Sequence, residues 1–200
     1  MVTVVDYRAG NLASVVKALQ KLGADVCVTS ERSDVEAAER IVLPGVGHFQ
    51  ATSRLAESGL KQAMQAAMTR GVPLLGICVG MQWLYEGSTE AADVAGAGWF
   101  PGQVTRFPSG MQKVPHVGWN QLEHVRDCAL LEGIAEGEFA YFTHAWRAPV
   151  NPATVATTEY MGSFAAASQR GNVCGVQFHP EKSGTTGLKI LRNFLEMKRC

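Results

Sequence analysis

Four short apolar runs in the first 80 residues constrain the fold of this chain more than any other feature. They are rich in Val, Ile and Leu, which is typical of strands buried on both faces of a sheet. Between them, apolar residues recur at helical spacing over residues 11–23 and 50–70. Strands that alternate with helices in this way favour parallel pairing and a sheet covered on both sides. The four runs are VTVV (2–5), DVCVT (25–29), RIVLPG (40–45) and VPLLGIC (72–78).

The pattern changes after residue 95, where short β-like runs are separated by Gly, Pro and Asn. Such runs predict antiparallel hairpins added to the parallel core, and an amphipathic stretch over residues 187–199 predicts a closing helix. With 200 residues, 46% of them hydrophobic, and no internal repeat or linker, the chain is expected to form one domain over residues 1–200. The predicted fold class is α/β, with a mostly parallel central sheet flanked by helices and antiparallel hairpins in the second half.

Charge and cysteine usage narrow the choice of environment and partners. Eighteen basic and eighteen acidic residues give no net charge, which argues against nucleic acid or an anionic membrane surface as the main partner. No apolar stretch reaches the length of a membrane span, and the N-terminus lacks the basic start of a signal peptide. Five cysteines without a C-x-x-C pair favour a reducing environment, with no disulfide framework and no zinc site. We therefore expect a cytoplasmic protein without a bound metal or cofactor.

The run PLLGICVGMQWL places Cys78 between Gly76 and Gly80, a spacing that needs an explanation. A buried strand gains nothing from either glycine, whereas a sharp strand-to-helix turn requires close backbone approach, which glycine tolerates. Such a turn would hold Cys78 at the C-terminal edge of the sheet, as a cysteine version of a nucleophile elbow. The alternative is a buried structural cysteine beside two packing glycines. This stretch alone leaves both interpretations open.

A nucleophilic cysteine needs a base, and the base needs an orienting group. The segment GVQFHPEKS (175–183) offers His179 and Glu181, separated by one proline. Pro180 disfavours helical backbone at His179, so we predict an extended stretch in which the two side chains project to the same side. The alternative for H-x-E alone is a solvated histidine in a weak surface ion pair. Beside an elbow cysteine, the catalytic interpretation is favoured.

Attack on a carbonyl also needs hydrogen-bond donors for the oxyanion. One is expected from the backbone N–H of Val79, which follows the cysteine. A second is expected from the glycine-rich segment LPGVGHF (43–49), at the end of the third predicted strand, where glycines flank the peptide of Val46. The alternative for this segment is an ordinary strand-to-helix turn, which the motif alone does not exclude.

Taken together, these segments resemble those of the class I glutamine amidotransferases. The elbow and HPE are shared by the whole class. The block KVPHVGWN (113–120), with PGVG and HPEKS, resembles more narrowly the glutaminase subunits of imidazole glycerol phosphate synthase. The resemblance runs nearly end to end and includes DYRAGNL, YFTHAW and GVQFHPEKSGTTGLKILRNF.

The resemblance implies that the chain hydrolyses glutamine to glutamate and ammonia, with Cys78, His179 and Glu181 as its catalytic triad. Family positions that hold the substrate correspond to Gly47, Gln82, Glu90, His144, Ala145 and Trp146. A heterodimer is also implied, in which ammonia passes to a (β/α)₈-barrel cyclase that makes imidazole glycerol phosphate and aminoimidazole carboxamide ribotide in histidine biosynthesis. Positions near that interface correspond to Asn11, Trp119, Tyr141 and Lys182.

Four positions depart from the family pattern. Members more often have glycine where this chain has Arg8 and leucine where it has Val79. Serine and tyrosine are more usual at Ala145 and Trp146, and this pair flanks the expected substrate site.

Three rival functions are open at this point. One is a paralogous glutaminase that supplies ammonia to another synthase, such as an enzyme that amidinates a surface sugar. Another is a catalytically silent scaffold, which would be expected to have lost a triad residue. The third is a cysteine hydrolase with a different substrate, which should lack KVPHVGWN. The side chains expected to be structural or at the surface, without chemistry, are His48, His116, His124, Cys27, Cys128, Cys174 and Cys200.

Overall fold

A seven-stranded sheet forms the centre of the fold in the computed structural model, which describes residues 1–9, 12–110 and 112–199. Five of its strands run parallel, and an antiparallel hairpin extends one edge. The strands in the described residues are β1 (Val2–Val5), β2 (Val26–Thr29), β3 (Ile41–Gly45), β4 (Leu74–Cys78), β5 (Gly87–Ser88), β6 (Gln103–Arg106), β7 (His116–Gln121), β8 (Phe139–His144), β9 (Trp146–Arg147), β10 (Thr154–Glu159), β11 (Ser163–Arg170) and β12 (Val173–Val176).

The strand order in the central sheet is β10-β11-β12-β4-β3-β1-β2. The parallel strands are β12, β4, β3, β1 and β2, and the added hairpin is β10 with β11. Two smaller sheets, β5-β6-β9 and β7-β8, are built from strands that follow α5 in the chain. The predicted class, a mostly parallel α/β sheet with antiparallel hairpins in the second half, is confirmed.

The helices of the described residues cover both faces of this sheet because successive strand residues are buried on opposite sides. In β4, Leu75 and Ile77 belong to one apolar cluster and Leu74 to the other. The first cluster packs under α1 and α6, and the second under α4. The helices are α1 (Leu12–Lys21), α2 (Arg32–Glu36), α3 (Ser53–Glu57), α4 (Leu60–Thr69), α5 (Val79–Trp83) and α6 (Gly184–Glu196).

One predicted helix is broken and another is displaced. Residues 50–70 do not form one helix: a 3₁₀ turn (Phe49–Thr52) leads into α3, and α4 begins only after Gly59. Gly59 has φ +76°, a left-handed conformation that ends regular helix and that glycine adopts without strain. The closing helix begins at Gly184, three residues before the predicted start. The short helix α2 was not predicted.

Helix length also bears on the membrane question. In the part of the chain that the structure describes, no helix combines the length and the apolar character needed to cross a membrane.

Candidate active site

Cys78 is the last residue of β4, and α5 begins at the next residue. Its backbone has φ 54° and ψ −110°, a conformation that residues other than glycine rarely adopt. A Cβ atom at Gly76 would lie 2.6 Å from the Gly80 carbonyl oxygen, and one at Gly80 would lie 1.8 Å from that of Leu43. Both glycines are therefore required by close backbone contact, and the sharp strand-to-helix turn that the spacing predicts is present.

His179 and Glu181 form a buried pair beside this turn. Nδ1 of His179 lies 2.9 Å from Oε1 of Glu181, and the two side chains are only 3% and 4% exposed. The backbone differs from the prediction, because only His179 is extended and Pro180–Lys182 forms a 3₁₀ turn. The proline nevertheless starts a turn tight enough to bring the carboxylate back to the imidazole. The surface ion pair considered as the alternative is excluded by this burial.

The electrostatics of the pair favour a protonated imidazole at neutral pH. Burial opposes the charge, but the Cys78 side chain and then the Glu181 carboxylate outweigh it and raise the pKa of His179 to about 9. Nε2 of His179 has no hydrogen-bond partner of conventional geometry among the described residues. The Cys78 sulfur therefore lies close enough to raise the pKa of the imidazole without a conventional hydrogen bond. Nε2 is the ring nitrogen left for proton transfer.

A cavity of about 340 Å³ opens in front of the Cys78 and His179 side chains. Eleven of its lining residues are ones that the sequence singled out, and Thr143 is one that it missed. Glu181 lies outside the lining, behind the imidazole that it contacts. The lining residues are Val46, Gly47, Cys78, Val79, Gln82, Glu90, Thr143, His144, Ala145, Trp146, His179 and Lys182.

The glycine-rich turn after β3 lies directly against the elbow. Gly45 is the register partner of Cys78, and a Cβ atom on Gly45 would lie 2.9 Å from the Gly80 backbone nitrogen. Gly47 follows with φ +88°, a conformation available to glycine at little cost. The peptide of Val46 is thereby held at the cavity wall, beside the first residue of α5, Val79. Both residues predicted to supply oxyanion donors line the same cavity, and the role of their N–H groups stays a prediction.

Two polar side chains that line the cavity already make hydrogen bonds within the protein. Gln82 donates through Nε2 to the Trp146 carbonyl oxygen and to Oε1 of Gln177, both at 3.1 Å. Glu90 accepts the backbone N–H of Phe49 through Oε2 at 2.9 Å. Its side chain is 12% exposed and lines the cavity, and its other oxygen, Oε1, lies 3.8 Å from Nε2 of His48.

Three of the four predicted interface residues lie in the described part of the chain. Trp119 on β7 pairs with Tyr141 on β8, and their ring centroids lie 5.9 Å apart in an edge-to-face arrangement. Trp119 is 55% exposed. Lys182 is exposed and lines the cavity. Asn11 lies outside the described residues.

The remaining histidines and cysteines fall in varied places. His116 is buried and bonded to His144, whereas His124 is exposed and His48 caps the 3₁₀ turn by accepting the Gln50 N–H. No disulfide joins the four described cysteines, and Cys200 lies outside the described residues. No group of three or more His, Cys, Asp or Glu side chains in the described ranges could hold a metal ion.

Comparison with known proteins finds a matching family and close sequence relatives. The model of the class-I glutamine amidotransferase family matches residues 3–197. The chain is 47% identical to the imidazole glycerol phosphate synthase subunit HisH of Moorella thermoacetica, over 99% of this chain and 95% of that protein. The HisH subunit of Methanothermobacter thermautotrophicus is also 47% identical, over the full length of both chains.

Solved structures show the same fold at lower sequence identity. A crystal structure described as glutamine amidotransferase superposes with a TM-score of 0.77 at 21% identity and covers 98% of both chains. The structure of PurLQS from Thermotoga maritima gives a TM-score of 0.74 at 21% identity, covering 97% of this chain and 96% of that one. At this identity the likeness establishes the fold alone.

Proposed function

This chain belongs to the class-I glutamine amidotransferase family, and we propose that it is the glutaminase subunit of an imidazole glycerol phosphate synthase. The observation that carries the proposal is the buried His179–Glu181 pair beside Cys78, in a chain 47% identical to HisH subunits over nearly its whole length. The names of those relatives do not favour the paralogous glutaminase of a surface-sugar enzyme.

The reaction begins when the Cys78 thiolate attacks the side-chain amide carbon of glutamine. The carbonyl electron pair moves to oxygen, and protonated His179 gives its Nε2 proton to the departing nitrogen as the C–N bond breaks. Ammonia and a glutamyl thioester on Cys78 result. Neutral His179 then takes a proton from water, whose oxygen attacks the thioester, and glutamate leaves as the C–S bond breaks.

Glu181 and the cavity wall supply orientation and charge stabilisation. The carboxylate holds Nδ1–H of His179, so that Nε2 faces the sulfur, and it stabilises the imidazolium. The N–H groups of Val46 and Val79 receive the oxyanion. Glutamine is held by Gln82, by the carboxylate of Glu90, and by backbone at Gly47 and at residues 144–146. Ala145 and Trp146 can replace the more usual serine and tyrosine because this contact is made through the main chain.

The ammonia passes to a cyclase subunit, which we propose to be a (β/α)₈ barrel. Its docking surface is the exposed side of the β7–β8 pair around Trp119 and Tyr141, together with Lys182 and Asn11. A surface that displays a half-exposed tryptophan beside a second aromatic ring is typical of a protein interface. Residues 1–200 act as one glutaminase domain in the cytoplasm and need neither nucleic acid, membrane nor cofactor.

The proposal is tested by glutamate release from glutamine, measured with and without the cyclase subunit of a HisH-containing synthase. We expect slow hydrolysis by the isolated chain and faster hydrolysis when the cyclase is bound and occupied by its own ligand. The replacement Cys78→Ala should abolish both rates, whereas Cys27→Ala should leave them unchanged. A glutamine-mimicking electrophile that labels Cys27 or Cys174 instead of Cys78 would overturn the assignment.

A further inference from the structure

A glutamine side chain that the sequence did not single out touches the nucleophilic sulfur. Gln177 follows β12 and lies level with Cys78, since Val176 and Ile77 are register partners on neighbouring parallel strands. Its side chain is completely buried. Nε2 of Gln177 donates toward Sγ of Cys78 at 3.7 Å, which is within range of an N–H···S hydrogen bond.

The neighbouring hydrogen bonds determine which end of the Gln177 amide faces the sulfur. The main-chain carbonyl of Trp146 can only accept, so Gln82 must present its NH₂ group to it. The same NH₂ group donates to Gln177 at 3.1 Å. Gln177 therefore offers its oxygen to Gln82, and its own NH₂ group is left to face Sγ of Cys78. The opposite amide orientation would set two NH₂ groups against each other.

The chain of hydrogen bonds continues from Trp146 to the β7–β8 pair. His144 donates through Nδ1 to the Trp146 carbonyl at 2.8 Å, so its Nε2 is an acceptor for Nδ1–H of His116 at 3.1 Å. Nε2 of His116 then accepts from Asn120 at 3.3 Å. The second Asn120 N–H bonds the Glu159 carbonyl. This assignment requires two neutral imidazoles, in keeping with burial that lowers the pKa of His116 to about 4 and of His144 to about 3.

We propose that Gln177 is a further catalytic residue, whose side-chain N–H stabilises the thiolate of Cys78, and that the hydrogen-bonded chain from Asn120 to Gln82 fixes its orientation. The inference rests on the proposed function. A hydrogen bond to an anionic sulfur is stronger than one to a neutral thioester. Gln177 thus favours the thiolate in the resting enzyme and again when the thioester breaks and the sulfur leaves.

Two variants of Gln177 separate the donor from the shape of the side chain. Gln177→Met removes the N–H at similar length, and Gln177→Leu removes it with a shorter, branched side chain. The measurement is the rate at which iodoacetamide alkylates Cys78 at neutral pH, followed by peptide mass spectrometry. Half-buried Cys27 in the same sample serves as an internal reference. We expect Cys78 to react about tenfold more slowly in both variants, with Cys27 unchanged.

A matched control is Gln169→Met. Gln169 is a partly buried glutamine whose amide is hydrogen-bonded to the main chain of Leu130 and Gly171, and it does not line the cavity. Its replacement should leave the Cys78 rate unchanged. If the methionine variant fails to fold, as thermal unfolding would reveal, the leucine variant decides.

The inference is overturned if a folded Gln177→Met or Gln177→Leu protein alkylates at the wild-type rate, because neither side chain offers a hydrogen-bond donor. Alkylation needs neither glutamine nor a partner, so this outcome would leave the proposed function standing. Absence of glutaminase activity from the wild-type protein with its cyclase would instead contradict the proposed function, whatever the alkylation rates are.

Discussion

At the scale of single residues, the division of labour at the site follows from which atom of each side chain is already bonded. Nδ1 of His179 is occupied by Glu181, whereas Nε2 is buried without a partner of conventional geometry among the described residues. The free nitrogen is therefore the one available for the proposed proton transfer. The second carboxylate oxygen, Oε2 of Glu181, is also buried and has no hydrogen-bond partner among the described residues. Its burial strengthens the electrostatic effect of the carboxylate on the imidazole.

The first prediction concerns Glu181→Gln, which keeps the shape of the side chain and removes its charge. Against the opposing effect of burial, Cys78 and Glu181 hold the pKa of His179 at about 9, so the variant should lower that pKa. We expect kcat to fall by a factor on the order of 10² to 10⁴, with a smaller change in KM. NMR titration of the His179 ring and steady-state kinetics with the bound cyclase measure the two effects. The matched control is Glu196→Gln, at an exposed position of α6.

The same pair makes stability depend on pH at the alkaline side. Since the folded pKa of His179 lies above the ordinary value of 6.5, its contribution is fully present below pH 6.5 and is lost as pH rises through about 9. Urea unfolding across this window should show the loss in the wild-type protein and a smaller loss in Glu181→Gln. An unchanged titration and an unchanged kcat would mean that Glu181 serves only packing or the partner surface.

The three residues proposed as a triad could be placed together from sequence because each lies in a short motif whose local geometry constrains it. Cys78 is marked by its flanking glycines, and the His179–Glu181 contact spans only two residues. Gln177 and Thr143 carried no such mark. Their places at the sulfur and at the cavity wall depend on the pairing of β12 with β4 and on where the separate β7–β8 sheet lies, which tertiary structure decides and a local pattern does not.

At the scale of elements, apolar periodicity gave the helical surfaces correctly but not where helices end. The inner stripe from Leu60 to Met68 is buried as predicted, yet the periodic pattern continued across Gly59 and hid the break there. The turn at Pro180 shows a related limit. The contact of His179 with Glu181 was predicted from extended backbone, and the structure makes it from a 3₁₀ turn.

The second prediction concerns the buried histidines of the β7–β8 pair. Burial lowers the pKa of His116 to about 4 and of His144 to about 3. The charges near His144 are those of His116, His179 and Arg147, and each opposes its protonation. The unfolded chain therefore binds protons first, and stability should fall as pH drops below about 6.5. The slope should approach about 1.4 kcal/mol per pH unit for each histidine.

Urea unfolding between pH 7 and pH 4 measures this slope. His116→Phe keeps an aromatic ring between Phe142 and Tyr160, with which His116 stacks, and should remove part of the acid dependence at a cost in stability at neutral pH. The control is His124→Asn, because His124 is exposed and asparagine tolerates its positive φ. Equal acid slopes in His116→Phe and in the wild-type protein would contradict the assignment of neutral, buried imidazoles.

At the scale of the whole molecule, the site exists because several segments meet at one edge of the parallel sheet. The segments after β3, β4 and β12 leave neighbouring strands at their carboxyl ends, where ligands bind in α/β folds. Sequence could predict this meeting once the strands were recognised as parallel, because strand direction alone brings those ends together. It could not predict the walls of the cavity contributed by residues 143–146, which belong to β8 and β9 in separate small sheets.

The third prediction separates release of ammonia from its use, and it does so in the complex with the cyclase. If Cys78 serves only to free ammonia, the Cys78→Ala complex should form no imidazole glycerol phosphate from glutamine. It should still form the product when an ammonium salt is supplied at a pH that provides free NH₃.

Lys182→Ala should behave differently, because Lys182 is exposed and adjoins the Glu181 turn without belonging to the proposed triad. We expect normal synthesis from ammonium but weaker coupling of glutamine hydrolysis to product, with Lys198→Ala as the exposed-lysine control. An exposed charge alone contributes at most about 1 kcal/mol, so a large effect would require a specific group on the cyclase. Failure of ammonium to rescue the Cys78→Ala complex would mean that the chain supplies some other reaction.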